Sequence, residues 1–186
     1  MKLPYWRLLL PLLFQIAIPL SMATEPLAIV LTGTTVYLQT QPVDPYDFLR
    51  GYSQVVSYEF SDLDYLRSLP GGKTIGDNPR EVYVVLAAPQ SSSPTNPTPW
   101  QPVRVSTTFP NYLSEGEIAM KGRVTSWRNV DYGINEFYFP EAQQQQINQA
   151  VRESMQERTA IAEVKVGKSG KAILQGLWLQ GKQYKF

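Results

Sequence analysis

Residues 162–174 read AEVKVGKSGKAIL, and the fold class turns on them. The first eight match a relaxed Walker A pattern, with Ala162 standing for its first glycine. That chemistry needs a flexible loop whose backbone N–H groups wrap phosphates, followed at once by a helix whose N-terminus faces them. Here the loop positions are Glu163, Val164, Lys165 and Val166, which favour extended chain, and Gly170-Lys171-Ala172-Ile173-Leu174 resumes as a second extended run. The segment reads as a hairpin turning at Gly167-Lys168-Ser169-Gly170, not as a nucleotide cradle. This makes the chain mainly β, of the α+β class.

Working outward, the same β-branched and aromatic signature recurs at residues 34–40, 54–60, 81–87, 101–108, 118–127 and 134–139, with the hairpin strands at 162–166 and 171–179. One amphipathic helix is expected at about 141–158, after Pro140: Ile147, Ala150, Val151 and Met155 share one face, which would pack on the sheet. A shorter helix is expected at residues 62–68, ended by Pro70-Gly71-Gly72. Between residues 89 and 102 lie Pro89, Pro94, Pro97, Pro99 and Pro102 without a charged side chain. Proline fixes φ and lacks a donor, so this stretch is a Pro/Ser/Thr-rich surface loop within one β-rich domain spanning residues 28–186.

Residues 8–24, LLLPLLFQIAIPLSMAT, carry no charge and come after Lys2 and Arg7. Basic residues before an apolar run keep the N-terminus in the cytoplasm and export the chain beyond the run. The expected reading is a membrane anchor or signal-anchor over residues 1–27, with a transmembrane helix from Tyr5 to about Leu27 and a stop at Glu25-Pro26. The alternative is a signal peptide cleaved after Ala23, which would leave a secreted or periplasmic protein.

The chain has 186 residues, 17 basic and 16 acidic side chains, a formal charge of +1, and neither cysteine nor histidine. That length suits one ordinary domain. Disulfides, cysteine nucleophiles, imidazole bases and His- or Cys-liganded metals are excluded. The near-zero charge gives no basis for nucleic-acid binding, which needs a basic stripe. Three acidic pairs, Asp44 with Asp47, Asp62 with Asp64 and Glu115 with Glu117, read as turn and helix-cap residues rather than as a glycosidase or metal site. Trp100, Trp127, Tyr132 and Tyr138 read as core or sheet-surface aromatics rather than a sugar- or peptide-binding face.

The stretch GTTVYLQTQPVDPYDFLRG at residues 33–51, with Val56-Ser57-Tyr58-Glu59 after it, resembles the bacterial membrane-anchored GDYXXLXY family. So does DYGINEFYFPE at residues 131–141. The positions carrying the resemblance are Pro42, Asp44, Pro45, Arg50, Gly51, Val56, Tyr58, Tyr132, Gly133, Tyr138, Pro140 and Glu141. At the naming motif Gly51, Val56 and Tyr58 fit, whereas Tyr52 replaces the aspartate and Ser53 the first tyrosine. The resemblance implies an N-terminal transmembrane helix before a β-rich periplasmic domain, and it favours an anchor over a cleaved signal. It implies no activity. Read locally, residues 45–51 form a corner between two strands, with Gly51 at a backbone angle other residues resist and Asp44 and Arg50 able to pair across it.

The expected function is therefore a non-catalytic, single-pass membrane protein with its C-terminal domain outside the cytoplasm. It serves as an accessory or binding partner of a membrane or envelope complex. It uses the membrane through residues 5–27, with no nucleic acid, nucleotide, cofactor or metal. The alternative is an envelope hydrolase on a β scaffold like that of signal peptidases, which residues 44–58 resemble. Such an enzyme needs a nucleophilic serine before that turn, and none lies in residues 36–46; Lys121 is the best placed base, without an evident partner.

Overall fold

A computed structural model describes residues 6–41, 53–55, 57–76, 79–91, 93, 97–125, 129–138, 151, 153, 154, 157 and 159–185. Helix α1 covers Trp6–Thr32 and includes Pro11, Pro19 and Pro26. Its stretch Leu9–Thr32 is long and apolar enough to cross a membrane. Leu10, Leu13, Phe14, Leu20 and Met22 are all exposed, so this helix is not a core element of the protein. It does not stop at Glu25-Pro26. Tertiary contacts carry it further: Ile29 is buried against Gly167, and Glu25 is bonded to Ser169 and Lys171. The Gly33 N–H then donates to the Ile29 carbonyl (2.8 Å), and a strand begins at the next residue.

That strand, β1 (Thr34–Gln41), alternates as its sequence requires, with Val36, Leu38 and Thr40 buried. The chain continues through β2 (Ser53–Val55), β3 (Ser57–Tyr58), a single 3₁₀ turn and α2 (Leu63–Ser68). Asp62 caps α2, its carboxylate accepting the Asp64 N–H at 2.8 Å, as the acidic pair suggested. Next come β4 (Glu81–Ala87), β5 (Gln101–Ser106), β6 (Glu117–Val124), β7 (Val130–Asp131) and β8 (Glu136–Tyr138). The last three are β9 (Ile161–Val166), β10 (Ala172–Leu179) and β11 (Lys182–Lys185).

All pairings are antiparallel among the described residues, in a five-stranded sheet ordered β11-β10-β9-β1-β3, a four-stranded sheet ordered β5-β4-β6-β7, and the ribbon β2-β8. The β9–β10 hairpin is the one expected at 162–174, its turn closed by the Gly167 N–H donating to the Lys171 carbonyl at 2.9 Å. One hydrophobic core runs from Val36, Leu38 and Val164 in one sheet to Val82, Val84 and Met120 in the other. Two backbone bonds tie the sheets: Lys121 N–H to Gly170 carbonyl and Trp100 N–H to Tyr37 carbonyl, each 2.8 Å. The second bond anchors the end of the proline-rich loop, and Trp100 packs half-buried on the core.

Several boundaries differ from expectation. The strand expected at 134–139 is only Glu136–Tyr138, because Gly133 turns the chain at φ +70° and Ile134 enters the core. The strand expected at 54–60 is split, its end becoming a 3₁₀ turn at Glu59–Ser61. The strands at 101–108 and 118–127 stop early, at Ser106 and Val124. The short strands β7 and β11 carry too few apolar residues to stand out. Of the helix expected at 141–158, Val151, Glu153 and Ser154 are described and helical, and Val151 joins the core; Ile147, Ala150 and Met155 lie outside the described residues.

Candidate functional site

Two segments far apart in sequence carry the motif tyrosines, and the fold brings them together. Strands β2 and β8 pair with Ser53 opposite Tyr138 and Val55 opposite Glu136. Just beyond, the buried Tyr58 hydroxyl donates to the Ile134 carbonyl at 2.9 Å, and the buried Tyr132 hydroxyl donates to the Phe60 carbonyl at 2.6 Å. Phe60 stacks on Tyr58 (ring centroids 5.7 Å apart) and meets Tyr132 edge-on (5.1 Å). Each segment thus bonds the backbone of the other through a tyrosine. Burial pushes both hydroxyls well above the ordinary tyrosine pKa, so they remain neutral donors and cannot serve as bases near neutral pH. Their chemistry is a reciprocal clasp.

The other side of the 130–135 segment is polar. Asp131 accepts the Gly133 N–H (2.8 Å) and the Asn135 side-chain amide (3.0 Å), holding the turn at Gly133. Tyr132 and Gly133 form one wall of a cleft of about 390 Å³, whose other walls are Glu81, Lys121, Arg123, Asp131, Lys171 and Ala172. Gly122 permits the close packing behind it, since a Cβ there would lie 2.7 Å from the Tyr132 ring. Cations outnumber carboxylates in this cleft, and most are engaged. Lys121 Nζ lies 2.8 Å from Glu81 Oε2 and over the Tyr83 ring, while Lys171 bonds Glu25. The Glu81 bond holds the Lys121 pKa above the ordinary lysine value.

This corrects the reading of Lys121 as unpartnered: its cross-strand neighbours are Glu81 and Tyr83. A lysine base needs the opposite shift, a pKa lowered by desolvation or a neighbouring cation. Tyr132 is core and Trp100 packs on it, as expected of core or sheet-surface aromatics. Trp127 lies outside the described residues, as do Asp44 and Asp47. Among the motif positions, Tyr58, Tyr132, Gly133 and the backbone of Tyr138 are described; Pro42, Asp44, Pro45, Arg50, Gly51, Val56, Pro140 and Glu141 fall outside the described residues, and with them the expected Asp44–Arg50 pair. Among the described residues, no three carboxylates converge as a metal site would need.

A feature missed in the sequence is the loop of residues 107–116. Arg104 clamps its base, donating to Glu117 Oε2 (2.8 Å) and to the Tyr112 carbonyl (2.9 Å), while Glu117 also accepts the Ser114 N–H. The bond from Arg104, then that from Ser114, holds the Glu117 carboxyl below its ordinary pKa. The clamped loop leaves Tyr112 74% and Phe109 41% exposed, the largest aromatic surface outside α1 among the described residues. The sequence signal was the doublet of Phe109 and Tyr112 among polar neighbours, which resembles any surface loop until Arg104 is seen beneath it.

An antiparallel β body carried on one apolar N-terminal helix, with its two motif segments clasped by buried tyrosines, defines the class. The model of one family, described as GDYXXLXY protein, matches residues 15–177, and the chain belongs to that family. Neither curated proteins nor solved structures give a match.

Proposed function

We propose that this is a single-pass membrane protein that acts by binding rather than by catalysis. Helix α1 anchors it, the β-rich domain stands outside the cytoplasm, and its partner is a membrane protein or envelope component. The observation that carries this reading is the exposure of the apolar side chains along α1 from Leu9 to Met22, which water does not tolerate and a bilayer does. The family match begins at residue 15, within that helix, which supports retention of the helix in the working protein. Lys2 and Arg7 ahead of the apolar run favour a cytoplasmic N-terminus.

Binding is favoured over hydrolysis because, among the described residues, the best placed acids and bases are committed to structural bonds: Lys121 to Glu81, Glu117 to Arg104, Asp131 to Gly133. For the partner, the rigidly based loop with Phe109 and Tyr112 is the surface we favour, since exposed aromatics on a fixed base dominate interface energetics. Fractionation with intact mass tests the anchor: a membrane-bound protein whose mass includes residues 1–23 is expected, and their loss would establish a signal peptide. Purification in mild detergent tests the binding role. A specific companion that is lost in the double variant Phe109→Ser, Tyr112→Ser is expected; a protein that purifies alone from intact envelopes would oppose it.

A further inference from the structure

The helix and the body meet without a linker, and the hairpin between β9 and β10 reaches back alongside the helix. Thr34 pairs with Val166, so the turn after Val166 passes the start of β1 and returns along α1. There Gly167 packs on Ile29, with room for no more than hydrogen: a Cβ would lie 2.6 Å from Ile29 Cγ1. Farther down the helix, Glu25 accepts bonds from Ser169 Oγ (3.2 Å) and Lys171 Nζ. Residues 25–32 rise about 10 Å along the axis, so the turn stands roughly that far below the end of the helix.

This contact fixes where hydrocarbon must end. A turn carrying Lys168, Ser169 and Lys171, all exposed, cannot enter the apolar layer, where unsatisfied backbone and bare charge are both costly. The hydrocarbon boundary therefore lies on the N-terminal side of Glu25. The helix before that point, residues 6–24, rises about 28 Å, close to the roughly 30 Å of a bilayer core. The polar turn then falls in the headgroup layer.

We infer that the turn at residues 167–171 is a foot resting on the bilayer, with Lys168 and Lys171 binding the phosphates of anionic phospholipid. This rests on the anchor reading proposed above. Among the described residues Lys168 makes no ion pair, leaving its charge available. Lys171 is shared with Glu25, and behind it Lys121 and Arg123 line the cleft. Lysine on a flexible stem suits mobile phosphates, which need a point charge rather than a fixed fork. The lipid contact also adds a second attachment beside the helix, which limits rotation of the body.

The chain has no cysteine, so single labels can be placed without background. Full-length Ser169→Cys and Gln180→Cys, at opposite ends of β10, would carry a spin label. Both would be reconstituted in vesicles of phosphatidylcholine with one-third phosphatidylglycerol and a headgroup-bound nickel chelate. Strong relaxation by the chelate is expected at position 169 and little at 180; equal relaxation would overturn the inference. The ratio of phosphatidylglycerol to phosphatidylcholine retained by the protein, read by native mass spectrometry, should fall roughly fivefold in Lys168→Gln at low salt. It should fall further with Lys171→Gln added and recover in Lys168→Arg. An unchanged ratio in Lys168→Gln, an exposed position where folding is not at risk, would overturn the lipid contact. Extraction of the protein by alkaline carbonate would instead overturn the anchor reading itself, and the foot with it.

Discussion

The two large sheets are held in place by different means. The five-stranded sheet grows straight out of α1, and its junction is lined by small or polar groups: Gly33, Gly167, Ser169, Lys171 and Glu25. The four-stranded sheet is tied to the chain before β4 by buried aromatics, with Tyr132 after β7 bonded to Phe60 and Tyr58 bonded to Ile134. Apart from the buried Ile29–Gly167 contact, the bonds of the first junction are exposed and wet, so they compete with water and contribute little energy each. The second is dry, so each hydroxyl lost there leaves a carbonyl without a partner. One junction sets orientation; the other sets stability.

The strongest way to break that contrast is Tyr58→Ala. Removing a fully buried ring should cost about 3–5 kcal/mol by cavity formation, measured by denaturant unfolding in detergent. A loss below about 1 kcal/mol would mean the clasp is not what secures the second sheet. Next, Tyr132→Phe keeps the ring and deletes the hydroxyl, leaving the Phe60 carbonyl unpaired. We expect about 1–3 kcal/mol, and the double variant with Tyr58→Phe should depart from additivity because both bonds close one clasp.

Alkaline titration sharpens the same point. Both tyrosines have pKa values raised by burial in the folded protein, so they stay protonated there while unfolded chains ionise near the ordinary value. Their contribution to stability is complete below about pH 10 and declines as pH rises toward their folded values. Ultraviolet titration should show at least two tyrosines, Tyr58 and Tyr132, that ionise only with unfolding. The acid side is smaller. Glu117 is lowered by Arg104 and Ser114, so what it adds is present above the ordinary carboxylate range and fades as pH falls through its folded value. Glu117→Gln should lower stability at neutral pH and leave the acid end unchanged, so the profile between them flattens.

The smallest expected effect is at the wet junction. Lys171→Ala should change unfolding free energy by about 0–1 kcal/mol, yet it should widen the distance distribution between labels on α1 and β9. A large stability loss with an unchanged distribution would reverse the assignment of the two junctions.

How much of this could be read from the sequence depends on the range over which the deciding interaction acts. The Glu81–Ala87 strand and the hairpin at 162–174 were legible because their signals are local: β-branched runs and a glycine-bearing turn. The Asp62 cap was legible because it acts within two residues. The end of α1 was misread because Glu25-Pro26 is a local stop, overruled by Ile29 and Glu25 meeting a turn from the other end of the chain. The site fared likewise. Tyr58 and Tyr132 were picked out by resemblance, but their clasp joins residues 76 and 72 positions apart, which no local pattern reveals. Lys121 looked unpartnered for the same reason: Glu81 faces it only once β4 and β6 are in register.

The position of β1 has a consequence for how the protein is made. It is the first strand synthesised, yet it lies inside its sheet, and its neighbour β9 arrives at the far end: Thr40 bonds a carbonyl 120 residues away. Until that late segment emerges, the edge of β1 that β9 fills stays open, while β3 is already available to the other edge. The five-stranded sheet therefore cannot mature strand by strand; it must wait for residues 161–166 before it can close. A ribosome-stalled series ending before residue 161 should remain protease-sensitive beyond α1, with protection arriving in one late step.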